Sequence, residues 1–156
     1  MNYEEYKNLK GTNFIKDAIE QLSSKYDFEF RYMEKMPRHE ALKLMRSADI
    51  IIDQLILGHH GFLAVEAMAF GKPVLCYLKP SILKDYPAEI PIVNANPETI
   101  YNELEKLIVN SQLRHDIGVR GRAYVEKYHA SKILAAEMVS IYNDLIERKK
   151  RSKNSR

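Results

Sequence analysis

The residues best suited to chemistry lie in one stretch, Ala48 to Tyr77. It reads as an apolar strand, Ile50-Ile51-Ile52, then a loop holding Gly58, His59 and His60, then an apolar helix opening at Gly61. The start of a helix leaves its first N–H groups without intrahelical acceptors and carries the positive end of the macrodipole. The N–H groups of Gly61, Phe62 and Leu63 therefore suit a phosphate. Glu66 falls on the first turns of this helix, where a carboxylate can accept two hydrogen bonds from vicinal hydroxyls such as those of a ribose. His59 and His60 are the candidate catalytic groups, since an imidazole beside an anion site can hydrogen-bond sugar or phosphate near neutral pH. The plainer alternative makes Glu66 a helix-surface carboxylate and the two histidines ordinary loop residues. His39, His115 and His129 have no partner pattern and read as surface residues, and no spacing suits a metal ion.

These groups must be held by a scaffold, and the chain alternates helix and strand patterns. Phe14, Ile15, Ala18, Ile19 and Leu22 mark a helix face that Thr12 can cap, and the alternation of Phe28, Phe30 and Tyr32 with Glu29 and Arg31 reads as a strand. Pro37 opens a second helix carrying Ala41, Leu42, Leu44 and Met45. The continuous apolar runs Ile50 to Ile52 and Pro73 to Leu78 have the character of strands buried on both faces. Between them, Gly71 closes the helix that begins at Gly61. A turn or short helix near Ser81 to Tyr86, a short strand Pro91 to Asn94, a helix opened by Asn96 and Pro97, and helices Gln112 to Tyr128 and Ser131 to Arg148 complete the order. Alternating elements imply a Rossmann-like, doubly wound parallel α/β sheet with C-terminal helices, whose ligands bind at the C-terminal ends of the strands.

Ala48-Asp49-Ile50-Ile51-Ile52, Gly61-Phe62, Glu66-Ala67-Met68-Ala69 and Gly71-Lys72-Pro73-Val74 closely resemble the C-terminal domain of the GT-B glycosyltransferases of group 1, the family 4 retaining class. Lys10-Gly11-Thr12 ahead of an amphipathic helix, and the helices holding Tyr128 and Tyr142, add to a likeness running from about Lys10 to Tyr142. The resemblance implies that Glu66 holds the ribose of a nucleoside diphosphate sugar. It also implies that Lys10 joins the N–H groups of Gly61, Phe62 and Leu63 on the pyrophosphate, and that Met36 and Pro37 line the base pocket. The implied reaction is retaining hexosyl transfer to an acceptor hydroxyl, in surface polysaccharide or glycoconjugate synthesis, with no cofactor and no metal. Stabilising the departing diphosphate would be the main catalytic contribution.

Two departures bear on that expectation. The family commonly carries a second glutamate separated from the first by seven residues, and here that position is Gly58. A strand usually precedes the Lys-Gly-Thr segment, yet Met1 to Leu9 are mostly polar, so the central strand is expected to be missing, leaving four strands. The acceptor domain is expected to be missing as well. The alternative function is therefore an inactive remnant or non-catalytic subunit, and the expected partners are an acceptor-domain polypeptide or a second copy. A phosphoacceptor receiver, suggested by Asp53 and Lys79-Pro80, lacks the acidic pair that would hold Mg²⁺.

Composition frames these readings. With 46% hydrophobic and 29% charged residues in 156, one globular domain over 1–147 is expected. Six of the 24 Lys and Arg lie in 148–156, read as a solvated, disordered tail, and the body is mildly acidic. No basic-aromatic pattern suggests nucleic acid. The lone Cys76, the absence of a membrane-length apolar run and the absence of a signal sequence point to a cytoplasmic protein, in peripheral contact with the inner membrane face at most.

Overall fold

A computed structural model describes residues 8, 10–87 and 90–154. Three parallel strands, β1 (Ile51–Ile52), β2 (Val74–Cys76) and β3 (Val93–Asn94), form a sheet in the order β1-β2-β3. Ile51 lies opposite Val74 and Ile52 opposite Leu75, while Leu75 faces Val93 and Cys76 faces Asn94. The central strand β2 is buried throughout.

Because side chains alternate across a strand, β2 sends Leu75 to one layer of helices and Val74 and Cys76 to the other. The Leu75 layer holds α1 (Thr12–Ser23) and α5 (Ile100–Val109), through Ile15, Ala18, Leu22, Leu104 and Leu107. The opposite layer holds α2 (Arg38–Ser47), α3 (Phe62–Ala69) and α6 (Ser111–Tyr128), through Met45, Ala64, Ala67, Met68 and Tyr124. A short α4 (Pro80–Leu83) follows β2, and α7 (Ser131–Asn154) ends the described chain. This is the doubly wound α/β arrangement expected from the order of elements.

Local chemistry sets the joints. Gly71, at φ +68°, ends α3: its N–H bonds to the Met68 carbonyl at 2.9 Å and the Lys72 N–H to Ala67 at 3.0 Å, which together satisfy the last carbonyls of the helix. Helix α6 is capped by Asn110, whose side chain accepts from the Leu113 N–H at 2.9 Å. Asn96 gathers the N–H groups of Glu98 and Thr99, so the segment expected to open a helix at Pro97 is a turn, and α5 begins at Ile100. Helices α3 and α6 meet at glycines. A Cβ on Gly118 would lie 2.1 Å from the Gly71 carbonyl oxygen, and one on Gly121 would lie 3.1 Å from the Met68 Cγ.

Three expectations are corrected. Phe28 to Tyr32 is not a strand of the sheet. It keeps extended alternation, with Phe28 and Phe30 packed on the Leu75 layer and Met33 on the other, but forms no ladder. A strand needs a neighbour to exchange backbone hydrogen bonds with. Here a cavity of about 970 Å³ separates the segment from β1. The described sheet accordingly has three strands rather than four. The basic segment read as a disordered tail is helical through Asn154, as a continuation of α7. Along α7, Leu134, Met138, Ile141 and Leu145 are all exposed, and the helix meets the described body chiefly at α6.

The two glycine contacts predict different outcomes. Gly118→Ala drives a methyl into rigid backbone and is expected to destabilise the fold by about 1–3 kcal/mol or more. Gly121→Ala meets a flexible methionine, and the gain of up to roughly 1 kcal/mol in helix propensity offsets the crowding. Urea denaturation of the two variants checks this, and equal losses would show that the α3–α6 approach is not limited by backbone contact.

Candidate functional site

The C-terminal end of β1 brings three segments together. Asp53, directly after the strand, is buried. One of its oxygens accepts the Gly61 N–H at 3.1 Å and the other pairs with the Lys10 ammonium at 3.3 Å. The Leu55 N–H donates to the Lys10 carbonyl at 3.0 Å, which fixes Lys10 beside the strand end. Lys10, Asp53 and the start of α3 thus form one polar knot. It places a carboxylate at the helix N-terminus, where the helix dipole favours negative charge.

That knot occupies part of the helix start expected to hold an anion. The Gly61 N–H, expected to be free for an anion, is taken by Asp53. The N–H groups of Phe62 and Leu63 have no acceptor among the described residues. The Phe62 side chain is 88% exposed, whereas Leu63 is half-buried and lines the large cavity. Two unit charges 4 Å apart interact by about 4 kcal/mol near a protein surface, so a diphosphate approaching this end must displace Lys10 from Asp53 or share it.

Glu66 also lines the cavity, with Lys10 and Leu63. Its carboxylate is ion-paired with the guanidinium of Arg38, at the start of α2. Arg38 went unrecognised in the sequence, since a contact spanning 28 positions leaves no local pattern. Met36 is half-buried and Pro37, the N-cap of α2, is exposed; neither lines the cavity.

The two loop histidines diverge. His59 is exposed, with its ring Nδ1 3.2 Å from the His60 carbonyl, and its own carbonyl accepts from the Gln54 amide. His60 turns inward, stacks on Tyr86 at 5.4 Å between ring centroids, and meets His129 edge-on at 6.1 Å. Burial lowers its pKa, and the neighbouring His129 and His59 push the same way against the Gly61 carbonyl and Asp53. His60 is therefore neutral at pH 7, packed among aromatic rings rather than lining the cavity. His129, read as a surface residue, belongs to this cluster and also contacts Tyr124; His39 and His115 are exposed. Burial first, and then the Asp53 carboxylate, push the pKa of the buried Cys76 thiol up to about 12, so it is inert at neutral pH.

Gly58 accounts for the missing second carboxylate. Its φ of +84° is left-handed, and a Cβ there would lie 2.4 Å from the Lys79 Cγ. The Lys79 N–H donates to the Gly58 carbonyl at 2.9 Å, holding the two together. No side chain larger than hydrogen fits this loop as it stands. Among the described residues no group of three His, Cys, Asp or Glu could hold a metal ion.

The three groups brought together, Lys10, Leu63 and Glu66, sit at the C-terminal edge of a parallel sheet, the usual ligand position in such folds. The family model described as glycosyl transferases group 1 matches residues 10–124, from Lys10 to Tyr124 in α6. No curated protein and no solved structure matches the chain. The matched span takes in all three strands and the helices on both their faces, and the chain belongs to the group 1 glycosyl transferases.

Proposed function

We propose that this chain binds a nucleoside diphosphate sugar as the donor-binding part of a GT-B glycosyltransferase of the family 4, retaining class. The reaction is hexosyl transfer to an acceptor hydroxyl in surface polysaccharide or glycoconjugate synthesis. The observation that supports the reading is the shared cavity wall formed by Lys10, Leu63 and Glu66 at the strand ends. Glu66 takes the ribose hydroxyls once Arg38, whose side chain is 73% exposed, swings away. Lys10 and the N–H groups of Phe62 and Leu63 take the diphosphate, with Gly61 contributing only if Asp53 releases it. Met36 and Pro37 approach the base, and the exposed His59 is better placed than His60 to reach a sugar. On this reading Lys10 and the helix start supply the positive charge, and no cofactor or metal ion is expected.

A second reading, a non-catalytic subunit or remnant that keeps the fold, draws on Asp53 at the phosphate position and on the closed Gly58 loop. On either reading the acceptor is bound by a part outside residues 1–156, such as an acceptor-domain polypeptide or a further copy. The described helices include none long and apolar enough to cross a membrane. A cytoplasmic setting, with the basic end of α7 at most touching the inner membrane face, fits the donor's location.

Thermal melting with UDP, GDP, ADP and their sugars tests the reading. A ligand at about 100 times its Kd stabilises the fold by roughly 2.7 kcal/mol, and Glu66→Ala is expected to cancel the rise in Tm. Cooperative melting unmoved by every nucleotide favours the remnant. Asp53→Asn keeps a hydrogen-bond acceptor for Gly61 and removes the competing charge, so nucleotide affinity should rise on the order of tenfold; calorimetric titration showing weaker binding would place Asp53 on the ligand's side. Single-chain turnover is expected to be undetectable and to appear on adding an acceptor-domain polypeptide, measured by release of nucleoside diphosphate.

A further inference from the structure

A nucleoside diphosphate sugar is a linear ligand, and the proposed donor contacts account for its nucleoside and its diphosphate but not for its sugar. On that reading the base and ribose lie on the α2 side, through Met36, Pro37 and Glu66. The diphosphate lies one helical turn nearer the start of α3, at the N–H groups of Phe62 and Leu63. The sugar then extends away from α2, past the start of the helix. Helix α3 is entered from the loop 54–60, so this loop and whatever packs on it form the surface that the sugar meets.

Lys79 packs on that loop. It follows β2, the neighbour of β1, so the loop and Lys79 stand together at the C-terminal ends of adjacent parallel strands. The backbone around Lys79 is held on several sides. The Tyr77 N–H donates to the Gln54 carbonyl at 2.7 Å and the Lys79 N–H to the Gly58 carbonyl at 2.9 Å. The Asn94 carboxamide accepts from the Leu78 N–H at 2.9 Å and donates to the Leu78 carbonyl at 3.0 Å. The stem of the lysine is seated as well. Its Cγ, Cδ and Cε lie 2.4, 2.6 and 2.7 Å from the point where a Cβ on Gly58 would stand, so three successive methylenes lie across the bare face of that glycine. The ammonium is one bond further on, and both Lys79 and His59, the residue after Gly58, are exposed. A stem already seated against the protein loses less rotamer freedom when its charge engages a ligand.

The glycine decides the charge at this point. A glutamate at position 58 would bring a carboxylate to the loop, whereas Gly58 removes it and admits the stem of a cation in its place. A carboxylate repels an acidic sugar, and a seated ammonium attracts one. Lys10 is engaged by Asp53 on the other side of Gly61, at the diphosphate end, so a charge on the sugar itself calls for a second cation. We propose that Lys79 is a specificity-determining residue of the donor site and selects a sugar that carries a carboxylate, a hexuronic acid, over a neutral hexose. The inference rests on the nucleotide-sugar reading of the cavity and names the class of sugar.

Calorimetric titration of the full chain with UDP, UDP-glucose and UDP-glucuronate, and with GDP, GDP-mannose and GDP-mannuronate, tests the proposal. For the base that binds, the hexuronate is expected to bind on the order of tenfold more tightly than its parent hexose, and the margin should shrink as salt is raised. Lys79→Met keeps an apolar stem over Gly58 and removes the charge, so the two sugars should come within about twofold of each other. Lys79→Arg keeps a cation and should keep the preference, and thermal melting checks that both variants fold. Equal affinity of the wild-type chain for hexuronate and hexose would overturn the proposal. So would a loss in Lys79→Met as large for free UDP or GDP as for the hexuronate, which would make Lys79 a phosphate contact. A chain that binds neither the free nucleoside diphosphates nor any of their sugars would overturn nucleotide-sugar binding itself and this inference with it, whereas the first two outcomes leave that binding standing.

Discussion

Asp53 is the group on which the geometry of the site depends. A buried carboxylate is tolerated only when its charge and lone pairs are met, and Asp53 meets them with a cation from the start of α1 and an N–H from the start of α3. Those partners lie on either side of β1 in the sequence, Lys10 ahead of α1 and Gly61 at the start of α3. By satisfying one buried charge, the fold fixes where Lys10 stands relative to the α3 N-terminus. The cavity walls at this end, and the loop carrying His59 and His60, take their positions from that constraint.

The second constraint is steric. The α3–α6 contact works because hydrogen is the only side chain on Gly118 and because Gly71 can turn left-handed at the end of α3. Close approach there lets α6 cover the Val74 and Cys76 face of β2, while α5 covers the Leu75 face. With both faces covered but one edge open, the sheet is complete in layers and incomplete in width.

Much of this was legible in the sequence, for reasons that can be named. Ile50 to Ile52 and Pro73 to Leu78 are continuous apolar runs, and Gly71 after an apolar helix is a local end signal; both features act over a few residues and agree with β1, β2 and the end of α3. The segment Phe28 to Tyr32 has the alternation of a strand and keeps its two faces, but pairing depends on a neighbour, which alternation cannot report. The site was half legible. Glu66 and Lys10 stand out by position in their motifs, yet the partners that occupy them, Arg38 and Asp53, are brought in by the tertiary fold. His60 and His129 likewise look alike in sequence and differ from an exposed histidine only through Tyr86 and Tyr124.

The charge pattern constrains how an anion could enter. Among the described residues Lys10 pairs with Asp53 and Glu66 with Arg38, so this end of the cavity holds internal ion pairs. Binding a diphosphate there is an exchange: its attraction to Lys10 must exceed the attraction of Asp53, which is fully buried and gains from low local dielectric. Arg38 is the easier partner to move, because its side chain is largely in water and an exposed pair is worth only about 0–1 kcal/mol. Reorganisation at Glu66 therefore costs less than reorganisation at Asp53.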